Sequence, residues 1–129
     1  MKFPILAALA TSALVLAQAP APAPGLKRTL VAQADVSIPN HEAVIAAVEL
    51  APGAFGGRHT HFGEEITYII EGELEVAVDG KPTQKLKAGQ GFIIPAGAVH
   101  NPHNVGTGTA KLAAVFYVEK GKPLSTPAK

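Results

Sequence analysis

The sequence predicts an all-β sandwich or barrel. From residue 26 onward, short apolar runs rich in β-branched residues alternate with turn residues at intervals of about 6 to 12 positions. The 13 glycines and 11 prolines suit a fold with many tight turns. No convincing helical period lies beyond the first 19 residues.

The N-terminal residues 1–19 are predicted to be a secretory signal peptide. Lys2 provides a positive charge before an apolar run over residues 5–17. This run is too short to span a bilayer, which takes about 20 residues. Small residues favour cleavage after Ala17 or Ala19, and a tethering or buried N-terminal helix is the alternative. We therefore expect a secreted or periplasmic protein with no membrane attachment after cleavage.

The remaining chain is predicted to contain one domain. Residues 20–25 alternate proline and alanine and form an extended linker, residues 26–120 form the β-barrel domain, and residues 121–129 form a polar tail. The absence of cysteine means that the fold rests on packing, and on metal where one binds, instead of disulfides. The formal net charge is +1, so we expect no nucleic-acid partner.

The first predicted strands come from apolar periodicity. Residues 28–34 form a plausible first strand that ends in the turn 37–40. In residues 42–50, every second side chain from position 44 onward is apolar, and Pro52-Gly53 closes the segment at the length of a strand. Residues 66–70 are strongly β-prone because isoleucine, threonine and tyrosine dominate them.

The later strands are shorter and are separated by glycine turns. Residues 73–78 alternate charged and apolar side chains, which is typical of a half-exposed strand, and Asp79-Gly80 is a hairpin signal. Three apolar or mixed runs and one charged run complete the predicted sheet. They cover residues 84–87, 92–94, 99–103 and 112–118.

The sequence around residue 60 has the composition of a metal site. Because alternate side chains of a strand share a face, His59 and His61 can point to one spot. Imidazole suits Zn, Cu, Fe and Ni, and a carboxylate adds a ligand that Mn also accepts. Glu64 and Glu65 both qualify on chemistry alone, although alternation favours Glu65. His100 is a candidate fourth ligand from a neighbouring strand.

Two longer patterns contain these residues. Gly53, His59, His61, Glu65 and Gly72 fit G-x5-H-x-H-x3-E-x6-G, and Gly89, Pro95, Gly97, His100 and Asn104 fit G-x5-P-x-G-x2-H-x3-N. Together these patterns resemble the two motifs of the cupin superfamily in its small single-domain form. The resemblance implies a double-stranded β-helix, or jelly-roll, barrel and a homodimer. It also implies one divalent ion (Fe, Mn, Ni, Cu or Zn) held by His59, His61, Glu65 and His100.

The resemblance permits several functions for such a site. An exported oxidoreductase of dioxygenase type acting on a small organic molecule is the first hypothesis. An oxygen-independent lyase, decarboxylase or isomerase is the second, and a non-catalytic binding module is the third. In the catalytic hypotheses Glu65 also accepts a substrate proton. Phe55, Phe62 and His103 are candidate pocket residues, whereas Arg58 is favoured as a solvated edge residue and Asn104 as structural.

Overall fold

The structure, a computed structural model, describes residues 22–129, so the predicted signal peptide and the first two residues of the linker lie outside the described residues. This part of the chain folds into ten β-strands and contains no helix, hence none that could cross a membrane. The strands are β1 (Leu26–Asp35), β2 (His41–Leu50), β3 (His59–Thr60), β4 (Gly63–Glu71), β5 (Glu73–Val78), β6 (Gln84–Lys87), β7 (Gly91–Ile94), β8 (His100–Asn104), β9 (Ala110–Glu119) and β10 (Thr126–Pro127).

The strands form two five-stranded antiparallel sheets. The first sheet has the order β1-β2-β9-β4-β7, and the second has the order β10-β3-β8-β5-β6. Successive strands cross between the sheets, as β4 to β5 and β8 to β9 do, so the chain winds through both layers. This is the double-sheet jelly-roll arrangement, and the predicted fold class is confirmed.

The core between the sheets follows from alternation along the strands. On β2, Val44, Ala46, Val48 and Leu50 are buried, whereas Ile45 between them is exposed. β9 shows the same alternation, and β5 contributes apolar side chains from the second sheet. Complete burial of a Val, Leu, Ile or Phe side chain contributes about 1.5–3 kcal/mol, so this interior is the main source of stability.

Asn104 has the structural role that the sequence indicated. Its side chain is fully buried, donates hydrogen bonds to the carbonyls of Leu50 (2.9 Å) and Gly108 (2.8 Å), and accepts one from the amide of Gly106 (2.9 Å). All of its hydrogen-bonding capacity except one acceptor site is therefore used inside the protein. These bonds tie the end of β8 to β2 and to the turn before β9.

The segment 121–129, expected to be a polar tail, lies against the barrel. Thr126 pairs with Thr60 and Pro127 with His59, which adds β10 to the edge of the second sheet. Leu124 packs on the apolar core. A two-residue strand gives no periodicity to detect, so neither β3 nor β10 was predictable as a separate strand.

Gly63 begins β4 at a point where two backbones nearly touch. A Cβ at this position would lie 1.6 Å from the carbonyl oxygen of Tyr117 on β9. No side chain fits there without separating β4 from β9, and Glu65 lies only two residues further along β4. The glycine is therefore required by close approach of the two strands.

We predict that Gly63→Ala destabilises the fold by about 3 kcal/mol or more, because backbone cannot yield as a flexible side chain would. Chemical denaturation measures this loss. Gly108→Ala is the matched control, since a Cβ there meets nothing within 4 Å, and it should change stability little. Equal stability of the two variants would contradict the close-approach explanation.

Candidate metal centre

Four buried side chains converge at the interior end of the barrel mouth. His59, His61, Glu65 and His100 each offer one ligand atom, and these atoms lie within 4.8 Å of one another. β3 and β8 place His59 directly opposite His100, whereas Glu65 comes from β4 in the other sheet. The cluster therefore joins the two layers of the barrel.

Alternation survives the break between β3 and β4. His59, His61, Gly63 and Glu65 are all buried, and Glu64 is exposed. The structure thus places Glu65 inside and Glu64 outside, as the parity of the sequence indicated. The break after His61 changes which sheet the chain belongs to without changing which side chains point inward.

Backbone carbonyls orient all three imidazole rings. Nδ1 of His59 donates to the Gly57 carbonyl (2.6 Å), Nδ1 of His61 to that of Leu124 (2.5 Å), and Nδ1 of His100 to that of Ala98 (3.0 Å). A carbonyl oxygen can only accept, so the proton of each neutral ring is on Nδ1. Each Nε2 therefore faces the cluster, which is the orientation that metal-binding histidines require.

Glu65 occupies the middle of the cluster. Its Oε2 lies 3.0 Å from Nε2 of His61 and 2.9 Å from Nε2 of His100, while its Oε1 accepts a hydrogen bond from Thr67 Oγ1 (2.7 Å). Burial alone would raise the pKa of this carboxyl. The hydrogen bonds and charges of His100 and His61 outweigh burial and hold the pKa well below its usual range. Glu65 is therefore ionised at neutral pH, as an anionic metal ligand must be.

His59 is suited to bind a metal at neutral pH. Its burial lowers the pKa to about 4, although its bond to Gly57 and the charge of Glu65 act in the opposite direction. The imidazole is consequently neutral at pH 7. A neutral ring does not have to lose a proton before it coordinates an ion.

The donor set requires a cation. With each Nδ1 committed to a carbonyl, the Nε2 atoms of His61 and His100 both face the same ionised oxygen of Glu65. Such a buried arrangement is unfavourable unless a positive charge lies between the atoms, as protons or as a metal ion. Three imidazole nitrogens and one carboxylate oxygen fit a divalent transition metal, so the site could hold one such ion.

A chamber connects the cluster with the surface. It has a volume of about 310 Å³, and His59 and Arg28 form its inner wall. The linker residues Pro22 and Ala23 line one side, and the segment 123–127 lines the other. A smaller cavity of about 20 Å³ lies further inward, where Arg28 and His59 are joined by Glu65 and Phe116. The roof of the chamber thus includes the segment whose Leu124 carbonyl orients His61.

Of the other predicted residues, Arg58 lies in the wall of the chamber, whereas Phe55, Phe62 and His103 lie outside both cavities. Phe55 is half exposed and stacks on His103 with ring centroids 3.8 Å apart. Phe62 is exposed beside Lys122, whose Nζ lies 5.3 Å from the ring centroid. The guanidinium of Arg58 is paired with both oxygens of Asp79 at 2.8 Å, at the protein surface. Neither cavity wall includes Phe55, Phe62 or His103.

Arg28 is the functional candidate that the sequence reading missed. It lies on β1 opposite Val48, whose side chain is part of the core, so the arginine also faces inward. Burial lowers the pKa of its guanidinium, and the charge of Glu65 partly offsets this effect. The sequence did contain a signal. Leu26, Arg28 and Leu30 occupy every second position, so the arginine shares one face of the strand with two leucines.

Known proteins resemble the central part of this chain. Residues 46–117 match the family of the cupin domain. A germin-like protein of Arabidopsis thaliana (subfamily 2 member 2) is 35% identical over 77 residues, which make up 56% of this chain and 35% of that protein. The polyketide synthase CurC of Streptomyces cyaneus is 39% identical over 75 residues, which make up 57% of this chain and 47% of CurC.

An oxalate oxidase has a similar structure. Its TM-score is 0.60 at 28% sequence identity, and the similar region covers 67% of this chain and 46% of the oxidase. This chain therefore spans less than half the length of each of these three proteins.

We predict that His100→Ala weakens metal binding more than about 100-fold, since substitution beside a metal ligand already costs 10- to 100-fold and this change removes a ligand itself. Elemental analysis after dialysis against limiting metal measures the loss. His103→Ala is the matched control, because it lies three residues further along the same strand and outside the cluster. Undiminished metal content in His100→Ala would exclude the four-ligand site.

Proposed function

The chain belongs to the cupin family, and from that premise we propose that it is an exported metalloenzyme, an oxidoreductase of dioxygenase type acting on a small organic molecule. The observation that carries this proposal is the convergence of three oriented imidazoles and one ionised carboxylate at the inner end of an accessible chamber. The similarity to an oxalate oxidase and to germin-like proteins supports the oxidoreductase class.

In this proposal the protein contributes positioning, charge and a dry site. His59, His61, Glu65 and His100 would hold a divalent ion, which when bound supplies Lewis-acid or redox chemistry. Thr67 fixes one oxygen of Glu65 by a 2.7 Å hydrogen bond and leaves the other directed toward His61 and His100. Phe116 packs beside the His61 ring at 4.7 Å between centroids and keeps that side of the cluster apolar.

An oxygen-independent lyase, decarboxylase or isomerase has weaker support. Such reactions benefit from an acid or base that is separate from the metal ligands. Among residues 22–129, Glu65 is the sole carboxylate in the walls of the chamber and the inner cavity, whereas Glu64 and Glu119 line a separate pocket that His61 borders. For a substrate held in the chamber, this placement favours a reaction in which the ion, instead of a side chain, activates the substrate.

The test combines metal content with oxygen dependence. We expect protein purified from its exported location to contain iron, manganese or copper, and to consume oxygen with a small organic substrate, oxalate being the first to try. His100→Ala should lose the oxygen uptake, and His103→Ala should keep it. Turnover that is undiminished in anaerobic buffer would establish the lyase or isomerase alternative. Metal-dependent melting without any turnover would establish a binding module.

Export is the second part of the proposal, and it is supported by Lys2 and the apolar run of residues 5–17. We expect the mature chain to begin at Gln18 or Pro20. Intact-mass measurement of protein recovered from the periplasm or the medium tests this expectation. A full-length chain found in the cytoplasm would contradict it.

We also propose that two copies associate through the outer face of the first sheet. One row across that face consists of Ile45, Val115, Ile66 and Ile93, which are paired in register on β2, β9, β4 and β7. The next row contains Ala47, Ala113 and Tyr68. A row of ion pairs borders the apolar rows, with Lys27 near Glu49 and Lys111 near Glu71, each at 3.7 Å.

A sheet with apolar side chains on both faces is normally covered on both. Here the inner face is covered by the second sheet, and Ile66, Ile93 and Tyr68 are 40%, 68% and 54% exposed on the outer face. An apolar centre with a charged border suits a two-fold interface, in which one patch meets its own copy.

We predict that Ile66→Lys raises the dissociation constant of this dimer at least about 100-fold, because it would bury an unpaired charge at the centre of the interface. Analytical ultracentrifugation over a concentration series measures the change. Ile38→Lys is the control: Ile38 is also exposed but lies in the turn between β1 and β2, so the dimer should persist. A monomeric wild-type protein, or a dimeric Ile66→Lys variant, would refute the interface.

A further inference from the structure

Arg28 lies between the solvent and the metal-binding cluster. Its register on β1, opposite Val48 and hence in line with Leu112, directs its side chain into the barrel. It lines the outer chamber together with His59 and the inner cavity together with His59 and Glu65. A molecule that occupies the chamber therefore lies beside both the guanidinium and the cluster residue His59.

This guanidinium lacks a hydrogen-bonding anionic partner within residues 22–129. Its Nε is buried without a hydrogen bond, and its Cζ lies 5.8 Å from the centroid of the Phe116 ring, at the limit of a cation–π contact. Both oxygens of Glu65 already have other partners. Arg58, the chain's other arginine, is instead neutralised by Asp79 at the surface.

The charges around the chamber are unbalanced. Arg58 is also in the chamber wall, but Asp79 neutralises it. A divalent ion in the cluster and Arg28 would then bring three positive charges against the single negative charge of Glu65, and no carboxylate lies in the wall of the outer chamber as the structure describes it. A buried guanidinium is stable when an anion pairs with it. The missing negative charge must then come from a ligand.

We propose that the chamber binds a small aliphatic carboxylate and that Arg28 is the residue that holds its carboxylate group. The planar guanidinium matches a carboxylate with two parallel hydrogen bonds. Leu26, Leu124 and Pro127 give the chamber apolar walls, and its volume of about 310 Å³ admits a molecule of a few carbon atoms. The inference rests on the proposed metal site, but it concerns a residue that precedes the family-matched segment 46–117.

Malonate binding to zinc-loaded protein tests this assignment, because zinc is not redox-active and no turnover interferes. We expect calorimetry to detect malonate binding, and Arg28→Gln to weaken it roughly 10- to 100-fold, as for loss of a hydrogen bond between charged groups. Lys27→Gln removes the same charge from the outer face of the same strand and should leave malonate affinity unchanged. Malonamide, the neutral counterpart, should bind weakly to every variant.

A measurement on the unsubstituted protein guards against misfolding of the variant. The chain has only two arginines, so the Nε–H resonances of ¹⁵N-labelled protein are readily assigned with Arg58→Gln. Malonate should shift the Arg28 resonance and leave that of Arg58 in place. Unchanged affinity in Arg28→Gln, or a shift of Arg58 alone, would overturn the assignment.

Zinc content separates this inference from the proposed function. If the wild-type protein takes up zinc but Arg28→Gln binds malonate as tightly as the wild-type protein does, the carboxylate assignment fails and the metal site stands. If the protein takes up no zinc, the metal site fails. The same titration on metal-free protein then tests whether Arg28 binds the carboxylate. The guanidinium is present with or without metal, so malonate should still bind, although more weakly, and Arg28→Gln should weaken that binding.

Discussion

The convergence of four ligand atoms in one buried site is the constraint on which the rest of this structure depends. Three imidazole nitrogens and a carboxylate oxygen are held within 4.8 Å of one another, on side chains that are buried. Such an arrangement persists only if each group is fixed from behind. The carbonyls of Gly57, Ala98 and Leu124 fix the rings, and Thr67 fixes Glu65. Their positions come from both sheets and from the C-terminal segment, so the barrel must close before the site exists.

The sheet that contributes Glu65 has one face toward the metal-binding cluster and core, and the other toward the proposed subunit interface. The inward side chains of β4 alternate between Glu65, Thr67 and the core residue Ile69, whereas the outward ones include Ile66 and Tyr68. One strand therefore joins the metal-binding cluster to the proposed subunit interface. Ile66, on the outer face, lies between Glu65 and Thr67, which point inward. A change at the interface that tilts β4 would also move the carboxylate. This coupling gives dimer formation a physical consequence for the site.

The sequence allowed the fold class and the four clustered residues to be predicted, for different physical reasons. The strands were predictable because burial imposes a period of two, and His59, His61 and Glu65 keep that period across the break after His61. Arg28 was missed because its importance depends on which strand faces the cluster, a property of the sheet order. Phe55 and Phe62 were chosen because they flank the ligands in sequence, but alternation turns Phe62 outward and Phe55 stacks on His103 instead.

The C-terminal segment 121–129 packs against the barrel although its composition is that of a polar tail. Its lysines and prolines indicate a polar tail, yet its backbone positions residues of the site. The Leu124 carbonyl accepts the hydrogen bond from His61, and the Ala128 amide donates to the Arg58 carbonyl. Backbone groups have no sequence signature, so only the three-dimensional pairing reveals them. The same segment lines the chamber, which links access to coordination. Lifting it would widen the opening but would also leave His61 without the bond that sets its proton on Nδ1. Access to the chamber and the orientation of His61 therefore depend on the same segment.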